Sequence, residues 1–142
     1  MAQLITFLVA IGTLAVAYNQ YRVSRDALRL SLFEKRLAIY HKTTQLLSAV
    51  AWDDLDPGHH ASFQGVIEEA RFLFAPEVPE HLASLFRRTH QYLHRRSDIA
   101  KQGGAGTESE NMALSALRDT ICREEQQLSD LFMPYLGFKT RA

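Results

Sequence analysis

The chain has 142 residues, and its 16 lysines and arginines balance its 16 aspartates and glutamates. A net charge of zero argues against a dedicated nucleic-acid binder, whose phosphate contacts need an excess of basic residues. The single cysteine, Cys122, excludes an internal disulfide bond, so nothing in the sequence indicates an oxidising compartment.

The N-terminal segment, residues 1–21, carries no charged side chain. A helix from residue 2 to residue 21 is about 30 Å long at about 1.5 Å per residue, which equals the thickness of a bilayer's hydrocarbon core. The sequence therefore predicts a transmembrane anchor over residues 1–21, followed by a helical domain over residues 22–142.

The residues at the end of this segment are those expected at a membrane–water interface. The predicted membrane-interface residues are Tyr18, Tyr21, Arg22, Arg25 and Arg29. Between residues 22 and 36 there are five basic and two acidic side chains. The positive-inside rule then predicts a single-pass protein of the bacterial inner (cytoplasmic) membrane, with the N-terminus outside and the C-terminal domain in the cytoplasm.

Two other interpretations of the N-terminal segment stay open. The tripeptide Ala15-Val16-Ala17 fits the cleavage site of a signal peptide, which would leave a secreted helical domain. The segment before it has no lysine or arginine, however, and basic residues follow the site, which favours an anchor. A buried helix of a soluble protein would have to be apolar on all faces.

Residues 22–53 are predicted to form one long helix that continues the membrane helix without a break. There is no glycine or proline between residues 22 and 52. Apolar residues recur with a helical period, and this stripe comprises Phe33, Leu37, Tyr40, Thr44, Leu47 and Ala51. The neighbouring Leu28, Leu32, Ile39, Leu46 and Val50 widen it.

Three further helices are predicted at about 60–75, 78–101 and 108–133. The turn signal Asp56-Pro57-Gly58 precedes the second helix and Pro76 ends it. A glycine-rich loop at 102–106 follows the third helix, and Thr107 with Glu110 forms a capping box for the fourth. Pro134 is expected to stop the fourth helix. No strand-like alternation competes, so the predicted fold class is all-α, with a cytoplasmic antiparallel four-helix bundle.

The sequence offers no catalytic, cofactor-binding or metal site. His90 and His94 are four residues apart and could bind one metal ion, but the arginines around them would repel a cation. The carboxylate doublets are adjacent residues and do not face each other on a helix. Cys122 is expected to be a buried structural thiol, and the aromatic residues Trp52, Phe72, Phe74, Phe86 and Tyr92 are expected in the core.

Two segments carry a resemblance to a protein family. One is Leu32-Phe33-Glu34-Lys35-Arg36, followed by Ile39-Tyr40, and the other runs from Ala70 to Val78 with the sequence ARFLFAPEV. Together with the N-terminal span, they resemble small bacterial single-pass membrane proteins of unknown function. The resemblance implies no activity, because its motifs are helix-packing residues and a helix–proline–helix corner.

These observations predict a membrane-anchored helical domain that serves protein–protein interaction or scaffolding and is not an enzyme. The expected partners are the lipid bilayer and either a protein partner or a second copy of the chain, with no nucleic acid and no small-molecule substrate. An accessory or regulatory subunit of a larger membrane complex is the alternative. A hydrolase using Asp53, Asp54 and Asp56 is a third hypothesis.

Overall fold

The computed structural model describes residues 2–104 and 106–137, with side chains described from Gly12 onwards. The described residues form four α-helices and no strand, which confirms the all-α prediction. The helices are α1 (Ala2–Ala51), α2 (Pro57–Leu73), α3 (Glu77–Lys101) and α4 (Glu108–Leu136). The boundaries differ from those expected at α2, which begins at Pro57 and ends at Leu73, and at α4, where Pro134 lies inside the last turn and the helix ends at Leu136.

The chain divides into two compact units, Met1–Glu34 and Lys35–Ala142. In the first unit, every side chain from Gly12 to Ser31 is exposed. Among the residues that the structure describes, no helix combines the length and the apolar character of a membrane span. The predicted anchor at 1–21 includes residues 1–11, whose side chains lie outside the described part.

In the second unit, the C-terminal part of α1 packs with α2, α3 and α4 into a helical bundle. Its buried stripe is Ile39, Thr43, Leu46, Leu47 and Val50. The predicted stripe is confirmed at Leu47 and at three of the residues that widen it, Ile39, Leu46 and Val50, whereas Ala51 and Leu28 are exposed.

Neighbouring helices of the bundle run in opposite directions. Arg36 near the start of this part of α1 donates through Nε to the carbonyl oxygen of Leu73 at the end of α2, at 3.0 Å. Glu77 at the start of α3 accepts a hydrogen bond from the hydroxyl of Tyr135 at the end of α4, at 3.0 Å. These contacts join the ends of helices that are distant in sequence.

Two of the five aromatic residues expected in the core are exposed. Trp52 at the end of α1 is 83% exposed and Phe72 near the end of α2 is 88% exposed. Phe74 instead fills the corner after α2, with its ring 5.0 Å from that of Phe132 and 5.2 Å from that of Tyr135. Because the helix ends between Phe72 and Phe74, the two rings point to opposite sides of the chain.

Local sequence determines the ends of the helices. Asp53 has a φ of 57°, and the amide of Asp54 donates to the carbonyl of Ala49, a hydrogen-bond pattern that closes a helix with a left-handed residue. Asp56 then caps α2, its carboxylate accepting from the amides of Gly58 and His59. These amide hydrogen bonds lower the pKa of Asp56.

In the loop between α3 and α4, local sequence likewise determines where one helix ends and the next begins. Gly103, with a φ of 87°, ends α3 through the same pattern of amide hydrogen bonds. The hydroxyl of Thr107 accepts from the amide of Glu110, and the carboxylate of Glu110 accepts in return from the amide of Thr107. The predicted capping box at the start of α4 is confirmed.

Candidate functional site

A cleft of about 790 Å³ lies between the first half of α2 and the second half of α3. Its lining includes His60 and Gln64 from α2, and Phe86, Arg87 and His90 from α3. The lining continues along α3 through Gln91, Leu93, His94, Ser97 and Lys101. The two helices present mostly uncharged and basic groups to it, so the cleft is the clearest candidate for a binding site in the bundle.

His60 forms the inner wall of this cleft. It is 5% exposed, and its ring stacks on that of Phe86 at 4.2 Å with 13° between the planes. Its Nε2 lies 3.1 Å from the carbonyl oxygen of Phe86, so this nitrogen carries a proton and donates. Burial lowers the pKa of His60, an effect that the positive field of His90 adds to, so the ring is neutral at pH 7.

Two more histidines extend a row of rings outward from His60. The ring of His90 lies 5.5 Å from that of His60, and the ring of His94 lies 5.7 Å from that of His90. Nδ1 of His94 is 3.7 Å from the carboxylate of Asp98. Across the described residues, no three histidine, cysteine or acidic side chains are grouped so that they could hold a metal ion.

A second polar cluster is buried between α3 and α4. Glu124 is 5% exposed and forms an ion pair with Arg88, whose side chain is 38% exposed. Nε2 of His81 lies 3.9 Å from Oε2 of Glu124, and both atoms are buried without a hydrogen-bond partner among the described residues. Burial lowers the pKa of His81, and the positive charge of Arg88 lowers it further.

The cluster does not line the cleft between α2 and α3. A buried carboxylate needs a paired charge, and Arg88 supplies one to Glu124. We therefore assign a structural role to the cluster. The sequence analysis missed it, although Glu124 follows Ile121 by three residues and precedes Leu128 by four, on the apolar face of α4.

Two acidic residues of the hydrolase hypothesis, Asp53 and Asp56, have structural roles. The hydroxyl of Tyr92 donates to the carboxylate of Asp53, and Nε of Arg96 lies 3.4 Å from the same oxygen. Burial, together with the hydrogen bond to Asp53, raises the pKa of Tyr92 to about 12. Asp56 is the cap of α2. Asp53 thus contacts α3 and Asp56 caps α2, so two of the three acids of the hydrolase hypothesis make structural contacts.

The five predicted membrane-interface residues share one face of α1. They lie in the first unit, all are exposed, and at about 100° per residue they fall within about 100° around the helix axis. These residues are Tyr18, Tyr21, Arg22, Arg25 and Arg29. Cys122, expected to be buried, is only half-buried on α4, where burial raises the pKa of its thiol. A raised thiol pKa disfavours the nucleophilic thiolate.

Comparison of the chain with protein-family models, with curated proteins and with solved structures gives no match in any of the three. The site is therefore interpreted from its own geometry.

Proposed function

We propose that this protein is a membrane-anchored helical interaction domain with no catalytic activity of its own. The observation that carries the proposal is the apolar surface of α1 between Leu14 and Leu30. Seven large apolar side chains in this stretch are more than half exposed: Leu14, Val16, Tyr18, Tyr21, Val23, Leu28 and Leu30. Exposed apolar surface of this extent is typical of contact with lipid or with another protein.

The first part of this apolar surface is suited to contact with lipid. Residues 1–21 are uncharged, and a helix of about 20 residues spans the hydrocarbon core. Tyr18 and Tyr21 would then lie in the interface, with Arg22, Arg25 and Arg29 on the cytoplasmic side. The N-terminus would be outside, and the bundle would be held at the cytoplasmic face of a bacterial inner membrane.

The interaction role rests on how the bundle uses its polar groups. Buried Glu124 forms an ion pair with Arg88, Asp56 caps α2, and His60 stacks on Phe86, whereas the cleft between α2 and α3 stays open to solvent. A domain of this kind is equipped to bind and not to transform a ligand. The alternative, an accessory subunit of a larger membrane complex, would use the same surfaces. It differs from an interaction domain only in that the subunit would be permanently bound to its complex.

Membrane extraction of the full chain tests the anchor. We expect the protein to stay in the membrane pellet at pH 11, and residues 1–17 to be present on the mature chain. The double variant Ile11→Arg/Leu14→Arg places charges near the centre of the span, at about 2.5–3.5 kcal/mol each, and should shift the protein to the supernatant.

The matched control is Leu28→Arg/Leu30→Arg, which adds the same charges beyond the span and should leave the protein in the pellet. A wild-type protein that is released at pH 11 would refute the anchor. A mature chain that begins at residue 18 would replace it with a cleaved signal peptide.

A further inference from the structure

The cleft between α2 and α3 has an apolar floor and a basic rim. Phe86 and Leu93 are half-buried in the floor, beside the stacked ring of His60. Arg87 and Lys101 lie near the two ends of the α3 wall. The cleft therefore combines a strip for apolar side chains with positive charges placed along it.

The shape of the cleft indicates an elongated occupant. From Phe86 to Lys101 the α3 wall is about 22 Å long, at about 1.5 Å per residue. A volume of 790 Å³ over that length leaves a mean cross-section of about 36 Å². A helix about 10 Å wide has a cross-section of about 80 Å², so the cleft accepts one face of a helix about four turns long.

Charge determines which kind of helix fits. No acidic side chain lines the cleft among the described residues. The nearest acid on α3, Asp98, lies 3.7 Å from Nδ1 of His94 and 3.5 Å from Nζ of Lys101, in an exposed ion pair that a partner's carboxylate can replace. Arg87 forms no ion pair within the described part of the chain, so its charge is open to a partner.

We propose that this cleft binds an acidic amphipathic helix of a partner protein, its apolar face on Phe86 and Leu93 and its carboxylates on Arg87 and Lys101. The proposal rests on the interaction role proposed above and names the partner's chemistry. Helices that bind in grooves place apolar residues at i, i+3 or i+4, and i+7. A cleft floor that is four helical turns long can contact apolar residues at this spacing. Rim charges then supply orientation and specificity.

The test uses the full chain in phosphatidylcholine nanodiscs and two synthetic peptides of 18 residues. Both peptides carry leucine at i, i+3, i+4 and i+7 repeats, and their other positions are all glutamate in one and all lysine in the other. We expect the glutamate peptide to bind, more weakly at high salt, and the lysine peptide not to bind above the level of empty nanodiscs.

Charge reversal locates the site. Arg87→Glu/Lys101→Glu should weaken binding of the glutamate peptide at least tenfold and create binding of the lysine peptide. The matched control, Arg95→Glu/Arg123→Glu, makes the same change in net charge outside the cleft and should change the affinity less than threefold. Circular dichroism of both variants checks that the bundle is folded.

The proposal is overturned if the wild type does not bind the glutamate peptide, or if both charge reversals weaken it equally. Binding of 1-naphthoate without binding of the peptide would also overturn it, in favour of a small planar anion. Retention of the same preparations in the membrane at pH 11 is measured in parallel, so a failed cleft is distinguished from a failed anchor.

Discussion

Removing Arg88 should destabilise the bundle far more than removing the carboxylate that it pairs with. Glu124 is 5% exposed, and among the described residues Arg88 supplies its counter-charge, because burial disfavours the charged form of the nearby His81. In Arg88→Met the buried carboxylate loses its counter-charge, which typically costs 3–5 kcal/mol. Because the Arg88 side chain is 38% exposed, water can enter as it leaves. We therefore expect about 3 kcal/mol, the lower end of that range.

Glu124→Leu should cost only about 1 kcal/mol, because the guanidinium that it leaves behind can turn towards solvent while a leucine fills the apolar face of α4. The double variant Arg88→Met/Glu124→Leu removes both charges and should be within about 1 kcal/mol of the wild type. The neighbouring exposed Arg87→Met is the matched control, with an expected change below about 0.5 kcal/mol.

Urea unfolding of the full chain in detergent micelles, followed by circular dichroism at 222 nm, measures these free energies. With an m-value of about 1.5 kcal/mol per molar, a loss of 3 kcal/mol lowers the midpoint by about 2 M. The reasoning is refuted if Arg88→Met behaves like Arg87→Met, or if the double variant is less stable than Arg88→Met alone.

Two further predictions use the same unfolding assay. Because the pKa of buried His60 is lowered, the unfolded state binds one more proton than the folded state below about pH 6.5. The free energy of unfolding should therefore fall between pH 7 and pH 5.5, by at most about 1.4 kcal/mol per pH unit for this group. His60→Gln should flatten this slope, and an unchanged slope would contradict the assignment. Asp53→Gly relieves the left-handed backbone but leaves the buried hydroxyl of Tyr92 without its acceptor, so we expect a net loss of about 1–2 kcal/mol. Asp53→Asn keeps an acceptor and should lose less than 1 kcal/mol; equal losses would show that Tyr92 does not depend on this contact.

The helical fold follows from local chemistry that the sequence displays. Residues 22–52 contain no helix breaker, and the Asp56-Pro57 step and the Thr107–Glu110 box are caps that act within four residues of chain. Such signals depend on neighbours in sequence, so they can be predicted before any packing is known. The ends of α1 and α4 depend less on adjacent residues. Pro134, for example, lies in the last turn of α4, where it disrupts little of the helix that precedes it.

Burial is where sequence reasoning failed, because it depends on contacts between helices. Glu124 is an acid within an apolar stripe, and only the position of Arg88 on the next helix makes its burial tolerable. Phe72 is aromatic but exposed, because α2 ends one residue later and turns Phe74 inward. For His60 a signal was present: it precedes Phe63 by three residues and Ile67 by seven, on the buried face of α2.

Residues 53–80 carry seven acidic side chains and one basic one, and residues 81–101 carry five basic side chains and one acidic one, but the two blocks do not simply pair with each other. Among the acids of residues 53–80, Glu68 pairs with Arg71 on its own helix, and Glu69 lies 4.0 Å from Lys42 of α1. The basic residues of α3 are divided between α4, the end of α1 and the cleft. Charge segregation in sequence thus indicated which helix is basic but not which helix neutralises it.

Two adjacent arginines of α3 have different roles. Arg87 and Arg88 differ by about 100° around the helix axis, so one lines the open cleft and the other meets a buried carboxylate. In the sequence they form a single basic patch. Their substitutions should nevertheless separate cleanly: Arg87 should change binding of an acidic helix and leave stability intact, while Arg88 should change stability first. A bundle that uses one face of α3 for its own charge pair and the next for a partner can alter its specificity without losing its fold.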